Sequence, residues 1–170
     1  IVAVSGPLGG SAAALALLGL SHHPSDYLRG KHLNPRCRMD VAQQIGPLVN
    51  AMIDISDGLA ADVLHICEQS RVGIELEADR IPLHPDVVEA AQTLGCDPLD
   101  WALGGGEDYE LLYTVSQDNW ATLKRLGISG CQVGKILFVE GQDLGAHSFI
   151  SAGGGLGVDL LEVGGADAAR

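Results

Sequence analysis

The apolar and polar positions of the chain alternate between short runs typical of buried strands and longer patterns typical of helices. The clearest helical pattern comprises Leu59, Val63, Ile66 and Cys67, which recur at i, i+4, i+7 and i+8 and therefore share one buried face. The clearest strand runs from Tyr109 to Val115, where every second residue would lie on the same side of a sheet.

The whole pattern predicts one domain in which strands and helices are interleaved. Strands are predicted at Ile1–Ser5, Ala51–Ile55, Val72–Leu76, Tyr109–Val115 and Gln132–Val139. Further helices are predicted at Ser11–Leu20, Met39–Val49, Pro85–Leu94 and Gln117–Leu126, and the first is apolar nearly all round, which is typical of a buried helix. No repeat is visible, so we expect an α+β fold with a mixed β-sheet covered by helices. Residues 1–150 would form the domain, and the Gly- and Ala-rich tail at 151–170 is expected to be partly disordered.

A first group of polar residues stands where a predicted strand meets a predicted helix. Asp54, Ser56 and Asp57 follow an apolar run, and Gly58 comes directly after them; we call residues 54–58 the acidic corner. Asp57 lies just before the helix, as an N-cap does, and the positive end of the helix favours an ionised carboxylate there. Neighbouring carboxylates suit Mg²⁺, which takes oxygen ligands and bridges to phosphates, and Gly58 leaves room for a phosphate. The alternative is that Asp57 is only a cap and Asp54 only the end of a strand.

A second group combines glycine with acidic residues at the start of the clearest strand. Gly104, Gly105 and Gly106 allow positive φ and a close approach of the backbone to a ligand. Glu107, Asp108 and Glu110 follow them; we call residues 104–110 the glycine–acid corner. Because both corners lie at strand ends, we expect Asp54, Ser56 and Glu107 to open onto one cleft. A flexible turn with solvated charges is the alternative.

Composition narrows the classes of function. The formal net charge of −12 argues against a general nucleic-acid-binding surface, whereas nucleotides remain compatible if Mg²⁺ is present. The four cysteines form no C-x-x-C pair, and no apolar run is long enough for a transmembrane helix, so the simplest expectation is a cytoplasmic protein with reduced thiols. Walker A, dinucleotide-binding and nucleophile-elbow motifs are absent, although the turn SGPLGGSA at residues 5–12 offers helix N–H groups to an anion.

Three segments together resemble a known family: VSGPLGGSAAALALL, MIDISDGLAAD and LGGGEDYELLYTV, in this order. Over roughly residues 1–140 the chain resembles the C-terminal half of the thiamine-monophosphate kinases, which belong to the superfamily of AIR synthetase, selenophosphate synthetase and the hydrogenase-maturation dehydratase. The resemblance implies an α+β fold and ATP-dependent phosphorylation of thiamine monophosphate to thiamine diphosphate with several Mg²⁺ ions. It also implies that Asp54 and Asp57 bind Mg²⁺, Ser56 contacts ATP and Glu107 contacts the substrate.

The chain departs from the family in three places. The family's N-terminal half, which carries further metal ligands and forms the homodimer, has no counterpart here, and the chain begins at Ile1. We therefore expect part of a longer protein that has negligible activity alone. Gly10 stands where the family has Asp, and the tail lacks the aromatic segment that closes the substrate pocket. Two other interpretations stay open. One is another ATP-dependent enzyme of the superfamily, although the segment GGEDYELL argues against it, and the other is a non-catalytic nucleotide-binding fragment.

Overall fold

The protein is a mixed β-sheet with helices on both faces, as the sequence predicts. The computed structural model describes residues 1–128, 130–137, 148–151 and 158–159, the last two ranges mainly as backbone. The strands are β1 Val2–Val4, β2 Ala51–Asp54, β3 Gly73–Glu77, β4 Leu111–Thr114, β5 Cys131–Leu137, β6 Ser148–Ser151 and β7 Val158–Asp159. The helices are α1 Gly10–Gly19, α2 Asp26–Leu33, α3 Met39–Ile45, α4 Leu59–Ser70, α5 Pro85–Leu94, α6 Pro98–Gly104 and α7 Gln117–Leu126, with 3₁₀ turns at Gly46–Leu48 and Ala78–Arg80.

The strand order is β2-β4-β1-β5-β3-β6-β7. All described neighbours pair antiparallel except β3 and β6, which pair parallel, so the sheet is mixed. At one end of the order β2 pairs with β4, and Asp54 lies opposite Leu111. This pairing brings the acidic corner beside the glycine–acid corner.

Alternation along the strands divides the core into two layers. Val2 and Val4 face α4 and α6 on one side of the sheet, whereas Ala3 joins a cluster with α3 and α7 on the other. Leu111, Tyr113 and Val115 belong to this second cluster, as the alternation predicts. A third cluster joins α1, α2 and α5.

Several boundaries differ from the predictions for local reasons. The strand expected from Tyr109 begins at Leu111, because Tyr109 has a φ of +50°. The stretch 22–35 is polar and irregular in sequence and predicts only a helical turn around residues 26–32, but it contains a full helix, α2, whose N-cap Ser25 accepts from the amide of Leu28. The helix α1 is apolar nearly all round and was expected to be buried, but Leu15 is 57% exposed and only one side of α1 faces the core.

Two predictions concern residues that the structure describes only in part. The end of the predicted strand Gln132–Val139 lies outside the described residues after Leu137, and so does the predicted turn at 140–141. The tail at 151–170 is described only at Ser151 and at β7. Among the described residues, no helix has the length and apolar character needed to cross a membrane.

Candidate functional site

Three backbone hydrogen bonds join the acidic corner to the glycine–acid corner. The amide of Ile55 donates to the carbonyl of Glu110 at 2.8 Å, and the amide of Tyr109 donates to the carbonyl of Ile55 at 2.9 Å. The amide of Glu107 donates to the carbonyl of Ser56 at 2.8 Å. Ser56 and Glu107, which are 51 positions apart in the sequence, are therefore backbone neighbours, and Asp54 is exposed at the same end of the β2–β4 pair.

Two glycines allow this close approach. A Cβ on Gly106 would lie 2.3 Å from the carbonyl oxygen of Ser56, a distance that a side chain cannot occupy. Gly58 has a φ of +106°, and a Cβ there would lie 2.7 Å from the carbonyl oxygen of Leu103. The sequence prediction that Gly58 leaves room for a phosphate is therefore replaced by a packing role, because the backbone at the end of α6 fills that space.

The acidic corner is shaped by Asp62, which the sequence analysis missed. One carboxylate oxygen of Asp62 accepts hydrogen bonds from the amides of Ser56 at 3.0 Å and Asp57 at 3.1 Å. Asp62 is 1% exposed, and burial raises the pKa of its carboxyl group above the ordinary value. The sequence does carry a signal for Asp62, because this residue lies three positions after Leu59 and four before Ile66 and therefore shares the apolar face of α4.

Asp57 has a different position from the one expected. The N-cap of α4 is Gly58, and no side chain caps that helix, so the prediction of Asp57 as an N-cap is wrong. The reason is that α4 begins two residues after Asp57, while Asp62 reaches back to the preceding amides. The carboxylate of Asp57 is exposed and available to a ligand.

Asp57 also belongs to a group with metal-ligating chemistry, in which Asp57 and His65 are exposed and Asp62 is buried. One ligand atom each from Asp57, Asp62 and His65 lies within 4.8 Å of the others. The two carboxylates suit a hard cation such as Mg²⁺, whereas the imidazole suits softer metals better. Asp54, the other predicted metal ligand, is not part of this group, so the described residues give Asp57 partners that the sequence did not predict.

The glycine–acid corner alternates between exposed and buried side chains because its backbone is unusual. Glu107 and Tyr109 have φ values of +65° and +50°, which is uncommon for residues other than glycine. Asp108 between them points inward and is 2% exposed. The alternative of a flexible turn with solvated charges is therefore wrong for Asp108 and Glu110, both of which are buried.

Asp108 caps the N-terminus of α1 from 98 or more positions away. Its carboxylate accepts hydrogen bonds from the amides of Gly9 at 2.7 Å and Gly10 at 3.1 Å. Burial raises the pKa of Asp108 to about 6, against the opposing effect of these bonds. The turn SGPLGGSA was expected to offer such amides to an anion; at Gly9 and Gly10 the anion is a side chain of the protein itself.

Glu110 forms a buried charged cluster. It is 1% exposed and accepts from Lys31 at 2.7 Å, from Arg38 at 2.8 and 2.6 Å, and from the Ser5 hydroxyl at 2.5 Å. Burial alone would raise the pKa of Glu110, but the hydrogen bonds from Arg38, Lys31 and Ser5 outweigh it and hold the pKa below its ordinary value. The cluster ties α2 and the loop before α3 to the start of β4.

Glu107 remains the accessible carboxylate of the glycine–acid corner, with 60% of its side chain exposed. His32 lies beside it, with 3.8 Å between Nδ1 and the nearer Glu107 oxygen. The same Nδ1 is 2.9 Å from the hydroxyl of Ser11, which fixes the ring against α1. The sequence analysis left His32 unassigned because it lies 75 positions from Glu107. An exposed carboxylate in this position suits a cationic or hydrogen-bond-donating ligand.

Comparison with known proteins shows which families and folds the chain resembles. Residues 1–144 match the profile of the AIR synthase related protein, C-terminal domain. The chain is 38% identical over 146 residues to a thiamine-monophosphate kinase of Aquifex aeolicus (strain VF5), covering 83% of this chain and 48% of that protein. The corresponding enzyme of Mycobacterium tuberculosis (strain CDC 1551 / Oshkosh) is 43% identical over 116 residues, covering 66% of this chain and 34% of that protein.

A solved structure shows the same fold. The complex described as AaThiL with AMPPCP and TMP superposes with a TM-score of 0.75 at 32% identity, covering 93% of this chain and 50% of that chain. The chain thus spans about half the length, or less, of the kinases that it matches.

Proposed function

The chain belongs to the family of AIR synthase related protein C-terminal domains, and from this we propose that it is the C-terminal half of an ATP-dependent thiamine-monophosphate kinase. The observation that carries the proposal is the direct hydrogen bonding between the D-I-S-D-G and G-G-E-D-Y-E-L segments. The likeness to thiamine-monophosphate kinases supports it. A structure of one such relative carries AMPPCP and TMP, which supports ATP and thiamine monophosphate as the substrates.

Each proposed residue has a role that its surroundings suit. Asp54 and Asp57 would hold Mg²⁺, since both carboxylates are exposed at the acidic corner. Ser56 would contact ATP: its backbone is fixed by Asp62 and Glu107, and its hydroxyl makes no hydrogen bond to another described residue. Glu107 would bind the substrate, because a carboxylate suits a thiazolium cation and an aminopyrimidine donor.

The reaction would be a direct in-line transfer. An oxygen of the thiamine monophosphate phosphate attacks the γ-phosphorus of ATP, and the bond to the β,γ-bridging oxygen breaks, so that ADP leaves with that electron pair. Bound Mg²⁺ would neutralise the charge that develops on the phosphates. Asp54 and Asp57 need not act as bases, because the attacking phosphate oxygen is already ionised. The role of Asp54 and Asp57 would be to hold the Mg²⁺ ions, which would fix the positive charge near the phosphates and their orientation.

The remaining parts of the proposal concern the whole protein. The second half of a full-length kinase would supply further metal ligands and the homodimer contact, so the chain alone would have negligible activity. We place the enzyme in the cytoplasm, where its nucleotide substrate is made, and expect no nucleic-acid or membrane partner.

A chimera tests the proposal directly. This chain would replace the corresponding C-terminal half of the Aquifex aeolicus enzyme, and thiamine diphosphate formation would be measured with ATP and Mg²⁺. We expect activity in the folded chimera, none in the chain alone, and a large loss of activity in the chimera with Glu107→Gln. The control Glu68→Gln changes an exposed glutamate on the surface of α4 and leaves activity intact.

The outcomes separate the competing functions. A folded chimera that binds ATP but forms no thiamine diphosphate would contradict the kinase and favour a non-catalytic nucleotide-binding domain. Robust thiamine diphosphate formation by the chain alone would contradict the proposal that activity requires both halves of the kinase.

A further inference from the structure

A cavity lies beside the glycine–acid corner, where two of its lining residues, Lys31 and Arg38, donate to Glu110. Its volume is about 390 Å³, and it is formed by α2 and the loop that leads to α3. None of the residues 54–58 or 104–110 lines it. Among its charged lining residues are Lys31, Arg36 and Arg38, opposed by Asp26.

The charge of this cavity differs from that of the chain. The protein has 22 acidic residues and 10 lysines and arginines, so three basic residues around one cavity form a local concentration of positive charge. Glu110 accepts from both Lys31 and Arg38 and neutralises one of these two charges. Arg36 is exposed and makes no ion pair or hydrogen bond to the rest of the described chain. With Asp26 and Glu110 counted against the three basic residues, the cavity keeps one net positive charge.

The same residues keep hydrogen-bond donors beyond those used by Glu110. Arg38 donates to Glu110 through Nε and Nη2, so its Nη1 group stands outside these bonds. Lys31 uses one of its three N–H bonds for the Glu110 oxygen at 2.7 Å. The planar guanidinium fork of Arg36 is wholly available, and this fork matches the oxygens of a phosphate.

An aromatic wall completes the cavity. Tyr27 is one of its lining residues, and the ring of Tyr27 stacks on His84, with 3.5 Å between the ring centroids and 13° between the planes. Stacking fixes this ring in one orientation, so it is a rigid surface for a flat organic group. A volume of about 390 Å³ falls in the range of small-molecule sites, roughly 300–1,000 Å³, and exceeds the need of a bare phosphate.

We propose that this cavity is a binding site for a small phosphomonoester, with the phosphate held by Arg36, Arg38 and Lys31 and the organic group placed along Tyr27. None of the residues proposed to bind Mg²⁺, ATP or thiamine monophosphate lines this cavity, and ligand binding there can be measured without kinase activity. Inorganic phosphate has the phosphate group of a phosphomonoester but lacks its organic group. Comparing the affinities of the two therefore shows which of them the cavity recognises.

The test uses the chain itself and two probes, phenyl phosphate and inorganic phosphate. Binding is followed by titration in ¹H–¹⁵N NMR spectra, in which the amides of Gly30 and Asn34 report on the cavity. Arg36→Ala is the informative variant, because Lys31 and Arg38 also neutralise a buried carboxylate and their loss would disturb the fold. Arg29→Ala is the matched control, since Arg29 is an exposed arginine of α2 that does not line the cavity.

We expect phenyl phosphate to shift these amides and to bind more tightly than inorganic phosphate. Arg36→Ala should raise its dissociation constant by about tenfold or more, as expected for the loss of a charge-assisted contact, while Arg29→Ala leaves it unchanged. Equal affinity for the two probes would overturn the assignment to a phosphomonoester. The proposed site would be refuted if millimolar probe left the amide resonances of Gly30 and Asn34 unshifted. It would also be refuted if Arg36→Ala and Arg29→Ala had equal effects on the dissociation constant.

Discussion

Replacing Glu110 by glutamine tests how far this fold depends on one buried carboxylate. Each Glu110 oxygen accepts from two donors: one from Lys31 and Arg38, the other from Arg38 and Ser5. Glutamine has the same shape but replaces one oxygen by an NH₂ group. In either orientation of the amide, its NH₂ group faces two hydrogen-bond donors. The positive charges of Lys31 and Arg38 also lose their counter-charge.

The expected loss follows from that geometry. Removing one partner of a buried ion pair costs about 3–5 kcal/mol, because the remaining charge stays buried and uncompensated. Glu110 is 1% exposed, and the side chains of Lys31 and Arg38 are 15% and 28% exposed, so solvent replaces part of the lost interaction and the lower end of this range is expected. A domain of this size is stable by roughly 5–15 kcal/mol, and a loss of this kind lowers Tm by about 10 °C.

Urea unfolding followed by circular dichroism measures the free energy of unfolding of the wild type, Glu110→Gln and Glu68→Gln. The last variant is the control, because Glu68 is exposed on α4 and should change stability by less than about 0.5 kcal/mol. A Glu110→Gln variant that loses less than about 1 kcal/mol would refute the reasoning. Such a result would mean that Lys31 and Arg38 find new partners or water at little cost.

Three further predictions test the corners. In the chimera, Asp57→Asn should lower kcat by roughly 100-fold with an unchanged melting temperature, because Asp57 is exposed and caps no helix; normal turnover at every Mg²⁺ concentration would contradict the metal role. Burial raises the pKa of Asp108 from 3.8 to about 6, so the folded state binds more protons than the unfolded state in this interval. Relative to Asp108→Asn, the free energy of unfolding of the wild type should therefore fall by up to about 3 kcal/mol as the pH rises through this interval. Parallel curves of unfolding free energy against pH for the two proteins would contradict this. Gly106→Ala should destabilise by about 1–3 kcal/mol, since its Cβ would lie 2.3 Å from the Ser56 carbonyl oxygen; the control Gly104→Ala meets nothing within 4 Å, and equal melting temperatures would be the contrary result.

The local pattern of the sequence was sufficient for most of the secondary structure. Helix α4 lies where Leu59, Val63, Ile66 and Cys67 share one face, and all four are buried. The pattern failed where local signals are weak or misleading. Helix α6 was not predicted because it has only seven residues and ends among three glycines, and α1 has too many apolar residues to indicate which side faces the core.

The sequence also determined where the candidate chemistry lies, because turn glycines and acidic residues at strand ends are local signals. It could not determine which carboxylates are exposed. Asp108 reaches Gly9 across 99 positions and Glu110 reaches Arg38 across 72; these contacts exist only once the sheet has formed. Of three acidic residues within four positions, tertiary structure buries Asp108 and Glu110 in internal hydrogen bonds and leaves Glu107 in solvent. Composition fixes how many charges a chain carries, whereas folding decides which of them are neutralised internally and which remain free to bind a ligand, because burial without a partner is too costly.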